Sequence, residues 1–229
     1  MKKKYMIIGI VIIIILLVIV LIIGYNKIET NKLRVEGEKF ETADLASPKD
    51  FKSLKTHGKY RVVEKAMKDY FYNNATKLNS ILAVKKSNEL TSILSYSNYE
   101  KDGPAFTNSL AYLEKAKSEF NQSIDEIINA YTEDEIEKNA STLSAKDKEL
   151  YKEMMLSSTM KVKYEGMRQS LATEKVQMDS IFDVSYTILK LLVDNPGKWY
   201  LENNEIKFTS KDLFAKYQEY INVINKNKE

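Results

Sequence analysis

The sequence contains no cysteine, and this absence removes several kinds of chemistry. Disulfide bonds, thiolate nucleophiles and cysteine-based zinc sites are excluded, and so is cleavage at a lipoprotein signal, which requires a cysteine. Histidine is nearly absent as well. The single one, His57 in the segment KTHGK, has no supporting metal or triad motif around it. We interpret His57 as a surface residue and expect neither a metal ion nor a cofactor.

Glycine and proline are also scarce, with seven and three among 229 residues. Both residue types interrupt regular structure, so the chain has few places to break a helix. No glycine-rich segment is present to surround a phosphate group, and the di-iron pattern Glu-x-x-His is missing. The composition therefore predicts a mainly α-helical protein without a nucleotide-binding loop or a di-iron centre.

One long hydrophobic run is present at the start of the chain. Residues 6–24 are almost entirely Ile, Leu and Val, and no charge lies between Tyr5 and Asn26. At a rise of about 1.5 Å per residue this run reaches about 28 Å, the thickness of a bilayer hydrocarbon core. A cleaved signal peptide is the alternative, but its apolar region is about 7–15 residues long and ends in small residues. We predict an uncleaved transmembrane anchor in contact with membrane lipid.

The charges on either side of the anchor predict its orientation. Lys2, Lys3 and Lys4 precede it without any acidic residue, whereas basic and acidic residues are mixed after it. This distribution predicts a short cytoplasmic tail, residues 1–5, and an extracytoplasmic remainder. The abundance of Lys, Asn, Ile and Tyr is typical of an AT-rich genome. We therefore expect a single-pass protein of the cell membrane in a Gram-positive bacterium.

The net charge of +3 comes from the tail alone. Of the 35 Lys and Arg, three lie in the tail, which leaves 32 against the 32 Asp and Glu that all follow the anchor. A neutral domain has no net field to attract a polyanion. The sequence thus argues against binding of nucleic acid.

Beyond the anchor, residues 25–47 are charged and weakly patterned, which predicts a spacer. From residue 48 onward, apolar residues recur every three or four positions in three long segments and one short one. Capping patterns mark the expected helix starts: Ser47 with Asp50, Thr132 with Glu135, Ser144 with Asp147, and Thr209 with Asp212. We expect a bend between Ser157 and Gly166. Residues 48–229 are predicted to form one antiparallel helical bundle.

The stretch DNPGKWYLENNEIKFTS, residues 194–210, departs from this helical pattern. Pro196 and Gly197 end a helix, and Asn203 and Asn204 suit a two-residue hairpin turn. The turn pairs Trp199 with Phe208, Tyr200 with Lys207, and Leu201 with Ile206. All apolar side chains then share one face of a β-hairpin over residues 198–209. We expect that face to dock on the bundle.

Two apparent motifs have simpler explanations. Ser158 and Lys161 match the S-x-x-K signature of penicillin-binding enzymes, but the companion S-D-N and K-T-G boxes are missing. The acidic cluster at residues 133–137 lacks the spacing and glycine of an EF-hand, and suits the first turn of a helix. We expect no enzymatic activity.

The function predicted from the sequence is a non-enzymatic binding or scaffolding role at the cell envelope, with a protein partner. The candidates for partner contact are three residues of the hairpin: Tyr200, Lys207 and Trp199. Two alternatives stay open at this point. One is an envelope ligand sensor that signals through a partner protein, and the other is an envelope hydrolase with an unrecognised site.

Overall fold

The structure, a computed structural model, describes the backbone of residues 2–42 and 51–226 and the side chains of residues 14–40 and 51–226. It is mainly helical, as predicted. The elements in chain order are α1 (Lys2–Thr42), α2 (Gly58–Lys85), α3 (Asn88–Ser92), α4 (Tyr96–Asp102), α5 (Thr107–Ala130), α6 (Glu133–Asn139), α7 (Ala145–Met155), α8 (Ser158–Val193), β1 (Trp199–Glu202), β2 (Glu205–Phe208) and α9 (Lys211–Lys226). The predicted hairpin before the last helix is confirmed.

The chain divides into two compact units, where the sequence predicts one bundle over residues 48–229. Unit 1 comprises residues 1–75 and 133–163, and unit 2 comprises residues 76–132 and 164–229. Helix α1 belongs to unit 1. By length and composition it is the one helix in the part described that is suited to crossing a membrane. Its apolar side chains from Ile14 to Ile23 are between 45% and 70% exposed.

The predicted spacer, residues 25–47, differs from expectation over residues 25–42, because these residues continue α1. Glu29, Leu33, Glu36 and Phe40 lie on one face of this helix and are all buried. Their spacing of four, three and four residues is that of a helical core stripe. Two of the four are glutamates, so hydrophobic periodicity alone does not detect the stripe. The predicted cap of Ser47 with Asp50 lies outside the described residues.

A buried charge cluster joins α1 to α2 in unit 1. The ammonium of Lys68, which is 3% exposed, donates to Glu36 Oε2 at 2.6 Å, to Glu64 Oε1 at 2.5 Å and to the carbonyl of Ser53 at 2.6 Å. An ammonium has three hydrogen-bond donors, and each finds an acceptor here. The cluster is therefore fully hydrogen-bonded on its cationic side.

Glu64 also organises the segment that precedes α2. Its carboxylate accepts hydrogen bonds from the backbone N–H of Lys55 and of Thr56, and from the Thr56 hydroxyl at 2.7 Å. Burial is the largest single influence on this carboxyl and acts to raise its pKa. The hydrogen bonds from Lys68 and Thr56 outweigh burial, so the pKa of Glu64 lies below its ordinary value of 4.5. Glu64 is thus held ionised inside unit 1.

Helix α1 and the first half of α2 run in the same direction in unit 1. Asn26 accepts a hydrogen bond from Tyr60 at 3.3 Å, and further along Glu36 meets Lys68. Phe40 then stacks on Phe71 with ring centroids 4.3 Å apart. The residue numbers of the contacting pairs therefore increase together along both helices, which makes the two helices parallel. The 15 residues between Thr42 and Gly58 are enough chain to return from the end of one helix to the start of the next.

Helices α5 and α8 pack antiparallel in unit 2. Lys117 contacts Asp183 at 2.7 Å, Asn121 donates to Asp179 at 2.7 Å, and Lys175 contacts Asp125 at 2.7 Å. Each step of four residues forward on α5 is matched by a step of four back on α8. Lys117, which occupies an expected apolar position in the sequence pattern, is thus one of the polar contacts beside the Phe120 and Phe182 rings.

Helix boundaries follow the capping patterns with two differences. Ser144 starts α7 as predicted, and its hydroxyl accepts from the N–H of Asp147. The third long segment is split between Met155 and Ser158, at the start of the predicted bend, whereas Gly166 lies inside α8. Helix α9 is capped by Ser210 rather than Thr209, because the Thr209 N–H still donates to the Lys198 carbonyl in the hairpin.

Candidate functional site

The hairpin forms where the sequence stops supporting a helix. Helix α8 ends at Val193, and Gly197 adopts a φ of +76°, a left-handed conformation that suits glycine. Asn203 and Asn204 have φ values of +51° and +61°, as a type I′ turn requires. The turn sets the predicted register, with Trp199 opposite Phe208, Tyr200 opposite Lys207, and Leu201 opposite Ile206.

Trp199 points into unit 2. Its ring stacks on that of Phe106 with centroids 5.8 Å apart, and its indole N–H donates to the Leu192 carbonyl at 2.9 Å. At the other end of the same face, Phe208 lies 5.0 Å from the ring of Tyr217. The apolar face of the hairpin therefore docks on unit 2, against Phe106 before α5, the end of α8 and Tyr217 of α9. Trp199 is a packing residue, and it is only partly buried.

The other two predicted contact residues lie on the outer face. Tyr200 is 46% exposed. Lys207 forms an ion pair with Glu205 on its own strand, and that carboxylate raises the pKa of Lys207. The pair is solvated, so it contributes little to stability. Tyr200 and Lys207 are directly opposite one another, and together they form an accessible polar and aromatic patch.

A groove of about 790 Å³ runs along β2, and we call it the hairpin groove. One wall is the continuous stretch from Asn204 to Lys211, and the others come from α9 and from the segment around α4. The floor contains a hydrogen bond between the hydroxyls of Tyr99 and Tyr217, 3.1 Å apart and buried. Burial, reinforced by the Tyr217 hydroxyl, raises the pKa of Tyr99, and burial also raises that of Tyr217, so the pair is neutral at physiological pH.

The strand edge in this groove carries free main-chain groups. The Thr209 N–H donates to the Lys198 carbonyl, so the hydrogen-bonded pairs of the hairpin are 198 with 209, 200 with 207, and 202 with 205. The main-chain groups of Ile206 and Phe208 therefore point away from β1. Within residues 51–226 their amides make no hydrogen bond.

Aromatic side chains surround this free edge. Phe214 on α9 is 47% exposed and lies 5.6 Å from the ring of Phe208. Tyr96 and Leu94 contribute further apolar surface across the groove. Of the three predicted contact residues, Lys207 lines the groove, whereas Trp199 and Tyr200 do not. The wall from residues 94–99 was not predicted, because SILSYSNY, residues 92–99, is a broken helical pattern with no feature that indicates a surface.

Two titratable residues from the sequence motifs, His57 and Lys161, each lie near a glutamate. In the part of the chain that is described, no group of three or more His, Asp or Glu side chains is placed to hold a metal ion. The His57 side chain is exposed in unit 1, with Nδ1 3.6 Å from Glu29 Oε1. Lys161 of the S-x-x-K match pairs with Glu133 at 2.8 Å rather than with Ser158.

Comparisons with protein-family models, with curated proteins and with solved structures found no match to this chain.

Proposed function

We propose that this chain is a single-pass membrane protein with a binding or scaffolding role at the cell envelope. Its units lie outside the cytoplasm, and unit 2 binds a partner protein in the hairpin groove. The observation that carries the proposal is the free edge of β2 beside an aromatic floor. The occupant is an extended segment of the partner, which adds to the hairpin as a third strand.

Main-chain geometry supports an extended segment over a helix. Ile206 and Phe208 each offer one donor and one acceptor at the spacing of alternate strand residues, which an extended peptide matches. A two-stranded sheet gains stability from a third strand. The groove volume of about 790 Å³ leaves room for the side chains of such a segment.

Charge makes a smaller contribution to recognition in this groove. Lys207 is already paired with Glu205, and the domain beyond the anchor is neutral. The partner segment is therefore selected by its β propensity and by apolar or aromatic side chains that meet Phe208 and Phe214. We expect affinity to depend weakly on salt concentration.

Replacing Ile206 with proline is expected to weaken binding at least tenfold. Proline removes the outward N–H and leaves the hydrogen bonds between β1 and β2 intact, because residue 206 is not in a hydrogen-bonded pair. The ligand is a heptapeptide selected by display against the full chain in lipid nanodiscs. Binding is measured by fluorescence anisotropy, and amide hydrogen exchange at Ile206 and Phe208 slows when the peptide is bound.

Leu201→Pro is the matched control, since Leu201 faces Ile206 and its N–H points to the opposite edge of the hairpin. We expect this variant to bind the selected peptides as the parent chain does. Equal losses in both variants, or protection of amides elsewhere, would contradict strand addition.

Protease treatment of intact cells tests the proposed orientation. The anchor followed by residues 25–229 outside the cytoplasm predicts digestion of the domain without lysis. A tag after Glu229 and an immunoblot report the cleavage, and a cytoplasmic protein in the same cells serves as the control for leakage. Protection of the domain until lysis would reverse the orientation.

Ligand sensing is the second candidate, because unit 2 also contains a partly open, mainly apolar cavity of about 280 Å³. We propose that such a sensor would signal through a partner protein. For an envelope hydrolase, the described residues offer no group of three or more His, Asp or Glu side chains placed to hold a metal ion.

A further inference from the structure

A cavity lies inside unit 2, separate from the hairpin groove in all but one lining residue, Leu94. It has a volume of about 280 Å³ and is bounded by the end of α2, α3, α8 and α9. Most of its wall is apolar, with Leu90, Ile93, Met178 and Ile181 among the buried contributors. A cavity of this composition favours an apolar molecule over water.

Ser185 interrupts the apolar wall. It lines the cavity, it is 1% exposed, and its hydroxyl has no hydrogen-bond partner among residues 51–226. A helical serine ordinarily satisfies its hydroxyl at the carbonyl four residues earlier, as Thr187 does with the Asp183 carbonyl at 2.7 Å. Because Ser185 lies on the cavity wall, its hydroxyl is available to form a hydrogen bond with an occupant.

Lys85, whose ammonium is a cationic donor, is among the residues that line the same cavity. Its ammonium contacts Glu174 Oε1 at 3.0 Å, and the Lys85 side chain is 38% exposed. Glu174 takes one of the three donors of the ammonium, which leaves others for an oxygen atom of a ligand. Hydrogen bonds from an ammonium are strongest to an ionised acceptor. The polar part of the cavity therefore favours a carboxylate.

The volume limits the size of the occupant. A cavity of about 150 Å³ holds benzene, with six carbon atoms, so by proportion this cavity holds about 11 non-hydrogen atoms. We propose that unit 2 binds a medium-chain carboxylate, an aliphatic chain of about eight carbons whose head group is bound by Lys85 and Ser185. This site goes beyond the proposed partner binding and does not depend on it.

Octanoate, with ten non-hydrogen atoms, is the probe for this site. It is titrated calorimetrically into the full chain in lipid nanodiscs, and nanodiscs that carry Ser185→Leu provide the blank for partition into lipid. We expect saturable binding of one octanoate per chain. Ser185→Ala weakens it about fivefold, since one hydrogen bond is lost. Ser185→Leu fills the cavity, abolishes binding and raises the melting temperature.

Val176→Leu is the control, because Val176 is 69% exposed on the same helix as Ser185. It leaves octanoate binding and melting temperature unchanged. Octylamine tests the head group, and it binds at least tenfold more weakly than octanoate beside an ammonium. Heats that are the same for the parent chain and for Ser185→Leu would overturn the proposal, as would equal binding of octylamine. Neither result bears on peptide binding at Ile206, which is measured separately.

Discussion

Lys68→Met lowers the free energy of unfolding of unit 1 by about 3–5 kcal/mol, the largest effect that we expect from a single substitution. The substitution leaves Glu36 and Glu64 buried without their shared cation. Methionine preserves most of the aliphatic length of lysine. The loss of stability therefore measures the removal of the positive charge rather than a change in packing. Hydrogen exchange of α2 peptides in the full chain, in lipid nanodiscs, measures the change.

The pH dependence of this variant separates charge burial from other causes. In the parent chain the pKa of Glu64 is below 4.5, so its contribution to stability is complete above that pH and is lost as the pH falls. Without Lys68, the hydrogen bonds from Lys55 and Thr56 remain but oppose burial less strongly, so the pKa of Glu64 rises relative to that in the parent chain. The stability defect of the Lys68→Met variant therefore shrinks as the pH is lowered.

Lys65→Met is the matched control on the same helix. Lys65 is exposed and pairs only with exposed Asp69, so its replacement changes stability by less than about 0.5 kcal/mol. If Lys65→Met and Lys68→Met were equally mild, or if the Lys68→Met defect grew at lower pH, the charge cluster would not stabilise unit 1.

Trp199→Ala has the second largest expected effect, a loss of about 3 kcal/mol in the stability of unit 2. This is the lower end of the range for removal of a large aromatic side chain, because Trp199 is partly rather than fully buried. The variant loses the stack on Phe106 and the hydrogen bond to the Leu192 carbonyl. Urea unfolding followed by hydrogen exchange of α8 and α9 peptides measures the loss.

Two further variants separate the contributions of the hydrogen bond and of the buried ring to this loss of stability. Trp199→Phe keeps an aromatic ring and removes the hydrogen bond, which costs about 1 kcal/mol. Tyr200→Ala, on the opposite face of the same strand, stays within about 0.5 kcal/mol of the parent chain. Partner binding lost without any loss of stability in Trp199→Ala would instead identify Trp199 as a contact residue.

The hairpin could be predicted to the level of individual residue pairs because its sequence satisfies two independent requirements. Asn203 and Asn204 tolerate the positive φ of the turn, and the two-residue period places every apolar side chain on one face. A shift of one residue would violate the second requirement. The first residue of α9 was predicted less accurately, because Thr209 and Ser210 both have a side chain that can cap a helix. Ser210 is the cap because the Thr209 N–H is hydrogen-bonded within the hairpin.

The charge cluster and the division into two units could not be predicted in the same way. A glutamate on a helix is ordinarily solvated, and only three-dimensional contact reveals that Lys68 compensates Glu36 from a distant position in the chain. The one local sign was Glu64 four residues before Lys68, next to the apolar Val63 and Met67. The cavity at Ser185 depends on how α3, α8 and α9 pack, which the pattern of each helix leaves undetermined.

The continuity of α1 restricts the freedom of unit 1 relative to a bilayer. From Gly24, the end of the apolar run, to Glu29, where contact with unit 1 is established, the helix rises about 7.5 Å. A flexible tether of 23 residues would instead let the domain range over about 27 Å. In the proposed anchored state, the contacts of α1 with the rest of unit 1 begin at the outer edge of the head-group layer, and a tilt of the anchor tilts unit 1 with it.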